Sequence, residues 1–117
     1  MKGLELSKAI AKILDAKKAH EIKVLKIEDL TIVTDYIVIA TGTSTTQVKS
    51  LADEVEFQLE TQHGMRPTRV EGYESKNWIL MDYDTVIVHV FHPEARNYYN
   101  LDKLWADGEE IALNLED

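Results

Sequence analysis

Hydroxyl side chains crowd one short stretch, Thr41-Gly42-Thr43-Ser44-Thr45-Thr46, immediately ahead of a segment with helical periodicity. A helix N-terminus offers free backbone N–H groups and the positive end of the helix dipole, which together favour an anion such as phosphate. The second glycine and the lysine of a P-loop are missing here, and the same hydroxyls serve equally well as helix caps. Asp82 and Asp84 lie two apart near a strand end, so both carboxylates can face one divalent cation. They fit solvated turn residues just as well. A nucleotidyltransferase places its paired acids on a strand soon after a Gly-Ser turn, but the acids at that distance, Asp53 and Glu54, fall on the helix. His20 and His63 sit at expected helix C-termini, where positive charge complements the dipole. His89 lies inside an apolar strand and His92 at the next cap; their separation puts them on opposite sides of an extended chain. Ser44 and Ser50 have no His and Asp at triad spacing. No catalytic constellation emerges, so the chain is expected to be no enzyme and to use no cofactor or metal.

These residues need elements to position them. Leu6, Ala9, Ile10, Ile13 and Leu14 recur at helical spacing and predict a helix over residues 4–18. A strand is expected over 21–27 and a second in the β-branched run Tyr36-Ile37-Val38-Ile39-Ala40, which reads as a central strand covered on both faces. Ser44 and Gln47 form a capping box at the start of a long helix with Val48, Leu51, Ala52, Val55 and Leu59 as its buried stripe. Phe57 points away from that stripe, and Gly64 suits the left-handed residue after the helix end. Strands follow over 68–71, 78–81 and 86–91. A last helix starts at Pro93 and breaks near Asn100 before resuming through 101–106. The order α-β-β-α-β-β-β-α predicts a single α/β domain over residues 1–117, a mixed five-stranded sheet with packed helices. Residues 109–117 are expected as a loose acidic tail.

Composition narrows the function classes. The 117 residues contain no cysteine, which excludes disulfides, thiolate metal sites and a thiol nucleophile. No apolar run is long enough for a membrane helix, and the N-terminus lacks the apolar core of a signal peptide, so a cytoplasmic protein without membrane contact is expected. The net charge of −8 is uneven: residues 1–26 carry seven Lys against three acids, whereas residues 93–117 carry two basic residues against seven acids. An acidic surface disfavours direct sequence-specific nucleic-acid binding and suits a basic protein partner. Trp78 and Leu80 share one strand face, while Ile87, His89 and Phe91 share a face of the next strand. With too few helices to cover both sides of the sheet, this aromatic side is either core or an interface with acids at its rim. Tyr98, Tyr99, Leu101, Leu104 and Trp105 add more apolar area than a short terminal helix needs.

An ordered set of segments resembles the ribosomal silencing factor, or Iojap, family. It comprises TIVTDYIVIATG at 31–42, Thr43-Ser44 with Gln47-Val48, Glu71-Gly72, Trp78 to Tyr83, Val86 to Phe91, and RNYYNLDKLW at 96–105. The chain departs from the family pattern at Thr46, Asp84 and Asn97. The resemblance implies a fold related to nucleotidyltransferases without their catalytic carboxylates. It also implies a translational repressor that binds the large ribosomal subunit at its fourteenth protein and blocks joining of the small subunit when nutrients run short. Homodimers are common in the family. Carried over by position, the resemblance suggests a contact surface of Trp78, Leu80 and Asp82, extended by Tyr98, Leu101, Asp102 and Leu104. Two other classes compete with it: a nucleotidyltransferase-like enzyme using Gly42–Thr46 and Asp82/Asp84, and a dimeric interaction module that binds no ribosome.

Overall fold

Six consecutive buried residues, Tyr36–Thr41, form strand β2 at the centre of the domain, as their unbroken β-branched character requires. The computed structural model describes residues 1–115. Before β2 come helix α1 (Gly3–Ala16) and strand β1 (His20–Lys26); after it come helix α2 (Thr45–His63) and strands β3 (Arg69–Glu71), β4 (Trp78–Asp82) and β5 (Val86–Phe91). Short helices α3 (Pro93–Tyr99) and α4 (Leu101–Leu104) and a two-residue strand β6 (Glu109–Glu110) complete the order. The sheet runs β3-β4-β5-β2-β1-β6, with β2 and β5 parallel and the other neighbours antiparallel.

The expected five-stranded sheet is therefore corrected to six strands among the described residues. The extra strand lies in the stretch expected as a loose tail. Glu109 and Glu110 pair with Lys26 and Leu25, Ile111 N–H donates to Val24 O at 2.9 Å, and Leu113 packs on the main core. Pairing between main chains is indifferent to the acidic side chains, so composition concealed it. Residues 116–117, the end of that predicted tail, lie outside the described residues.

The two sheet faces are covered unequally. One face, built from Val24, Val38, Ala40, Ile79, Met81, Val86, Val88 and Val90, packs under α1 and the buried stripe of α2. The other carries Leu25, Ile27, Ile37, Ile39, Ile87 and Phe91, covered in part by α3 and α4. Local chemistry fixes the long helix as its sequence indicates. Ser44 Oγ accepts from Gln47 N–H at 3.1 Å, while Gln47 Oε1 reaches back to Thr43 N–H at 2.6 Å, one residue before the usual capping-box partner. Gly64 ends the helix at φ 63°. Gly42 is fixed by close approach, since a Cβ there would stand 3.0 Å from the Val48 backbone nitrogen.

Candidate partner-binding face

The half-covered sheet face is assembled from β4, β5 and α3. Alternation along β4 puts Trp78, Leu80 and Asp82 on the same side, opposite Phe91, His89 and Ile87 of β5. Trp78 is half-buried and held by three rings. It stacks on Phe91 with centroids 5.0 Å apart, and Tyr99 lies against it at 4.6 Å. Its indole N–H donates to His89 Nδ1 at 3.0 Å. Tyr98 extends the aromatic row edge-on to Tyr99 at 5.1 Å. Beyond Trp78 the side chains are exposed, Tyr99 by 51% and Tyr98 by 82%, as is Leu104 on α4 by 66%.

Sequence reasoning placed seven residues here, and the structure divides them. Trp78 and Leu80 are half-buried on the expected face, Tyr98 continues the row through Tyr99, and Leu104 is exposed on α4. Leu101 does not: at 8% exposure it belongs to the core with Leu25, Ile27, Ile37, Ile39, Ile87 and Phe91. The reason is the helix break at Asn100, whose left-handed conformation (φ 48°) turns the chain and sends Leu101 inward while Leu104 stays outside.

The two acids already have internal partners. Asp82 Oδ1 accepts the Asp84 N–H at 2.8 Å, which lets Asp84 take φ 74° at the hairpin turn. Asp102 is gripped by Arg96 through Oδ2 at 2.9 Å and Oδ1 at 3.2 Å, and Lys23 Nζ lies 3.2 Å from Oδ2. These hydrogen bonds to Arg96 hold the Asp102 carboxyl below the ordinary carboxylate range.

Arg96 and Tyr99 stand outside the expected site residues, although Tyr99 was counted in the surplus aromatic area of the last helix. Arg96 is 9% exposed, and its remaining nitrogen donates to Thr41 Oγ1 at 2.9 Å and to the Glu21 carbonyl. It therefore ties the final helices to the ends of β1 and β2. Its spacing of six from Asp102 matches no continuous helix pair, so only the break at Asn100 could have revealed it. A polar cavity of about 420 Å³ opens beside Arg96, Lys23 and Asp102, but their charges are already spent on one another.

Among the described residues, the groups singled out for chemistry are engaged in local structure. The Thr43–Thr46 hydroxyl cluster caps α2 through Ser44, and His89 is engaged by Trp78. Among the described residues no group of acids and histidines is arranged to hold a metal ion, and no helix is long and apolar enough to cross a membrane. What the arrangement presents is a row of aromatic side chains, half-buried at Trp78 and exposed at Tyr99 and Tyr98.

Comparison with known proteins shows the family. The family model described as "Ribosomal silencing factor during starvation" matches residues 2–117. A ribosomal silencing factor of Halalkalibacterium halodurans is 36% identical over 113 residues, which are 97% of this chain and 96% of that protein. One from Bacillus subtilis is 38% identical over 107 residues, 92% of this chain and 90% of that protein. A crystal structure of a Chromobacterium violaceum protein superposes with a TM-score of 0.86 at 34% identity, covering 99% of this chain and 95% of that one. The named relatives are ribosomal silencing factors, a regulatory rather than enzymatic family. The chain belongs to the ribosomal silencing factor family, the ribosome-associated regulators of translation.

Proposed function

We propose that this protein represses translation by binding the large ribosomal subunit at its fourteenth protein and excluding the small subunit by bulk. The observation that carries the reading is the exposed aromatic row continued from Trp78 through Tyr99 to Tyr98, on the sheet face that no long helix covers. Aromatic side chains supply large contact area at low entropic cost, which is how interfaces obtain affinity. Exposed Asp84, Glu94 and Asp107, together with the chain's net charge of −8, favour a basic partner of the kind that ribosomal proteins provide. Blocking requires no chemistry, only occupancy of the joining surface by a domain of 34 × 34 × 31 Å.

The test uses residues whose removal leaves the fold intact. Tyr98→Ala and Leu104→Ala should each weaken co-sedimentation with purified large subunits by about tenfold or more while melting like the parent protein. Parental affinity in both variants would remove this face from the interface. The proposal includes homodimers. Phe57, 62% exposed on the outer side of α2, gives a dimer an apolar contact on the opposite layer from the docking face.

A further inference from the structure

The side chain that controls the Trp78 indole is one that the docking reading leaves unused. His89 stands on β5 opposite Leu80, is only 7% exposed, and accepts the Trp78 indole N–H on Nδ1 at 3.0 Å. Acceptance at Nδ1 requires the neutral imidazole with its proton on Nε2. Phe91 stacks on the indole and Tyr99 lies against it at a tilt, and such ring contacts tolerate either of the two orientations related by a half-turn of the ring plane. A hydrogen bond tolerates only one, because the N–H lies on a single edge of the ring.

We infer that His89 is a positioning residue for partner binding: without reaching the partner, it holds the Trp78 indole in one orientation, so that the docking face offers aromatic carbon and no indole donor. This rests on the docking reading above. It also sets the chemistry of the contact, since a site opposite Trp78 gains from aliphatic groups or from a cation over the ring and gains nothing from a hydrogen-bond acceptor.

Two variants at one position separate this role from simple packing. His89→Leu fills the space without an acceptor, while His89→Asn keeps an acceptor near the Nδ1 position. Nitrogen-15 NMR should show slow solvent exchange of the Trp78 indole N–H in the parent and in His89→Asn, and fast exchange in His89→Leu, with Trp105 unchanged as the internal control. Co-sedimentation with purified large subunits should weaken about fivefold or more for His89→Leu and recover to within about twofold for His89→Asn. Trp78→Phe keeps a ring but has no donor, so it should also bind about fivefold more weakly, and adding His89→Leu to it should cost nothing further. If His89→Leu does not fold, Trp78→Phe carries the test, and unchanged affinity there overturns the inference. Equal affinity of parent and folded His89→Leu, or losses that multiply in the double variant, also overturns it while leaving the docking reading standing. A parent protein that fails to co-sediment at all overturns the docking reading, and the role of His89 with it.

Discussion

Arg96 and Asp102 form a two-pronged ion pair across the helix break, with Nη2–Oδ2 at 2.9 Å and Nε–Oδ1 at 3.2 Å. The pair closes the corner between α3 and α4, while the third guanidinium nitrogen reaches Thr41 on β2 and the Glu21 carbonyl on β1. Four separate segments thus meet at one side chain. The position of the exposed Tyr98 and Leu104 relative to the sheet depends on that junction.

Breaking the junction should be costly because the partners left behind are partly buried. Arg96→Ala is expected to lower stability by about 3 kcal/mol. Arg96→Lys should lose most of the same amount, since an ammonium cannot reproduce the forked geometry. Urea unfolding read by circular dichroism measures both, and a Lys variant as stable as the parent would contradict the forked geometry as the source of stability.

Leu101 and Leu104 are three residues apart and should respond oppositely to truncation. Leu101→Ala removes a core side chain and should cost about 2–3 kcal/mol of stability. Leu104→Ala, 66% exposed, should change stability by less than about 0.5 kcal/mol and act on partner binding instead. Thermal melts of the two variants side by side decide the assignment.

Gly72 takes φ 80° in the turn before β4, and a Cβ there would stand 1.9 Å from the Trp78 carbonyl oxygen. Gly64 also has positive φ, at 63°, but faces open space. Gly64→Ala should therefore cost only the backbone term, about 1 kcal/mol, whereas Gly72→Ala should cost distinctly more and alter the fluorescence of Trp78. Similar losses in the two variants would show that the turn relaxes around the added methyl.

Burial lowers the His89 pKa to about 4 from its ordinary 6.5. The unfolded chain then takes up a proton that the native state refuses. Stability from this group is complete above about pH 6.5 and is lost as pH falls toward 4, at up to about 1.4 kcal/mol per pH unit. Unfolding free energies from urea titrations at pH 7 and pH 5 should differ by up to about 2 kcal/mol in the parent and by clearly less in His89→Asn. The lowered carboxyl of Asp102 acts in the same sense, its contribution being lost only at more acidic pH. A parent protein equally stable at both values would contradict the burial of a neutral His89.

The elements governed by side-chain periodicity were legible in the residues themselves. The stripe of α2, its Ser44 cap and Gly64 end, the two-sided burial of β2 and the break at Asn100 all stand where the pattern put them. Strand β6 was not legible, because Glu109 and Glu110 pair through main-chain groups at a sheet edge and no apolar side chain announces it. The geometry of the aromatic sheet face was half legible. Alternation put Trp78, Leu80 and Asp82 on one side, but whether a residue after the break turns in or out depends on the φ of Asn100, so Leu101 was misplaced. The ion pair of Arg96 and the hydrogen bond between Trp78 and His89 join residues separated by a turn or by a strand register, and spacing alone carries no signal for either.

Subunit joining in sucrose gradients tests the central claim most directly. With purified small and large subunits and an excess of this protein, the joined-ribosome peak should collapse into free subunits. Tyr98→Ala and Leu104→Ala, folded as the parent, should leave the peak largely in place. An undiminished peak with the parent protein bound to the large subunit would contradict occupancy of the joining surface as its mode of action.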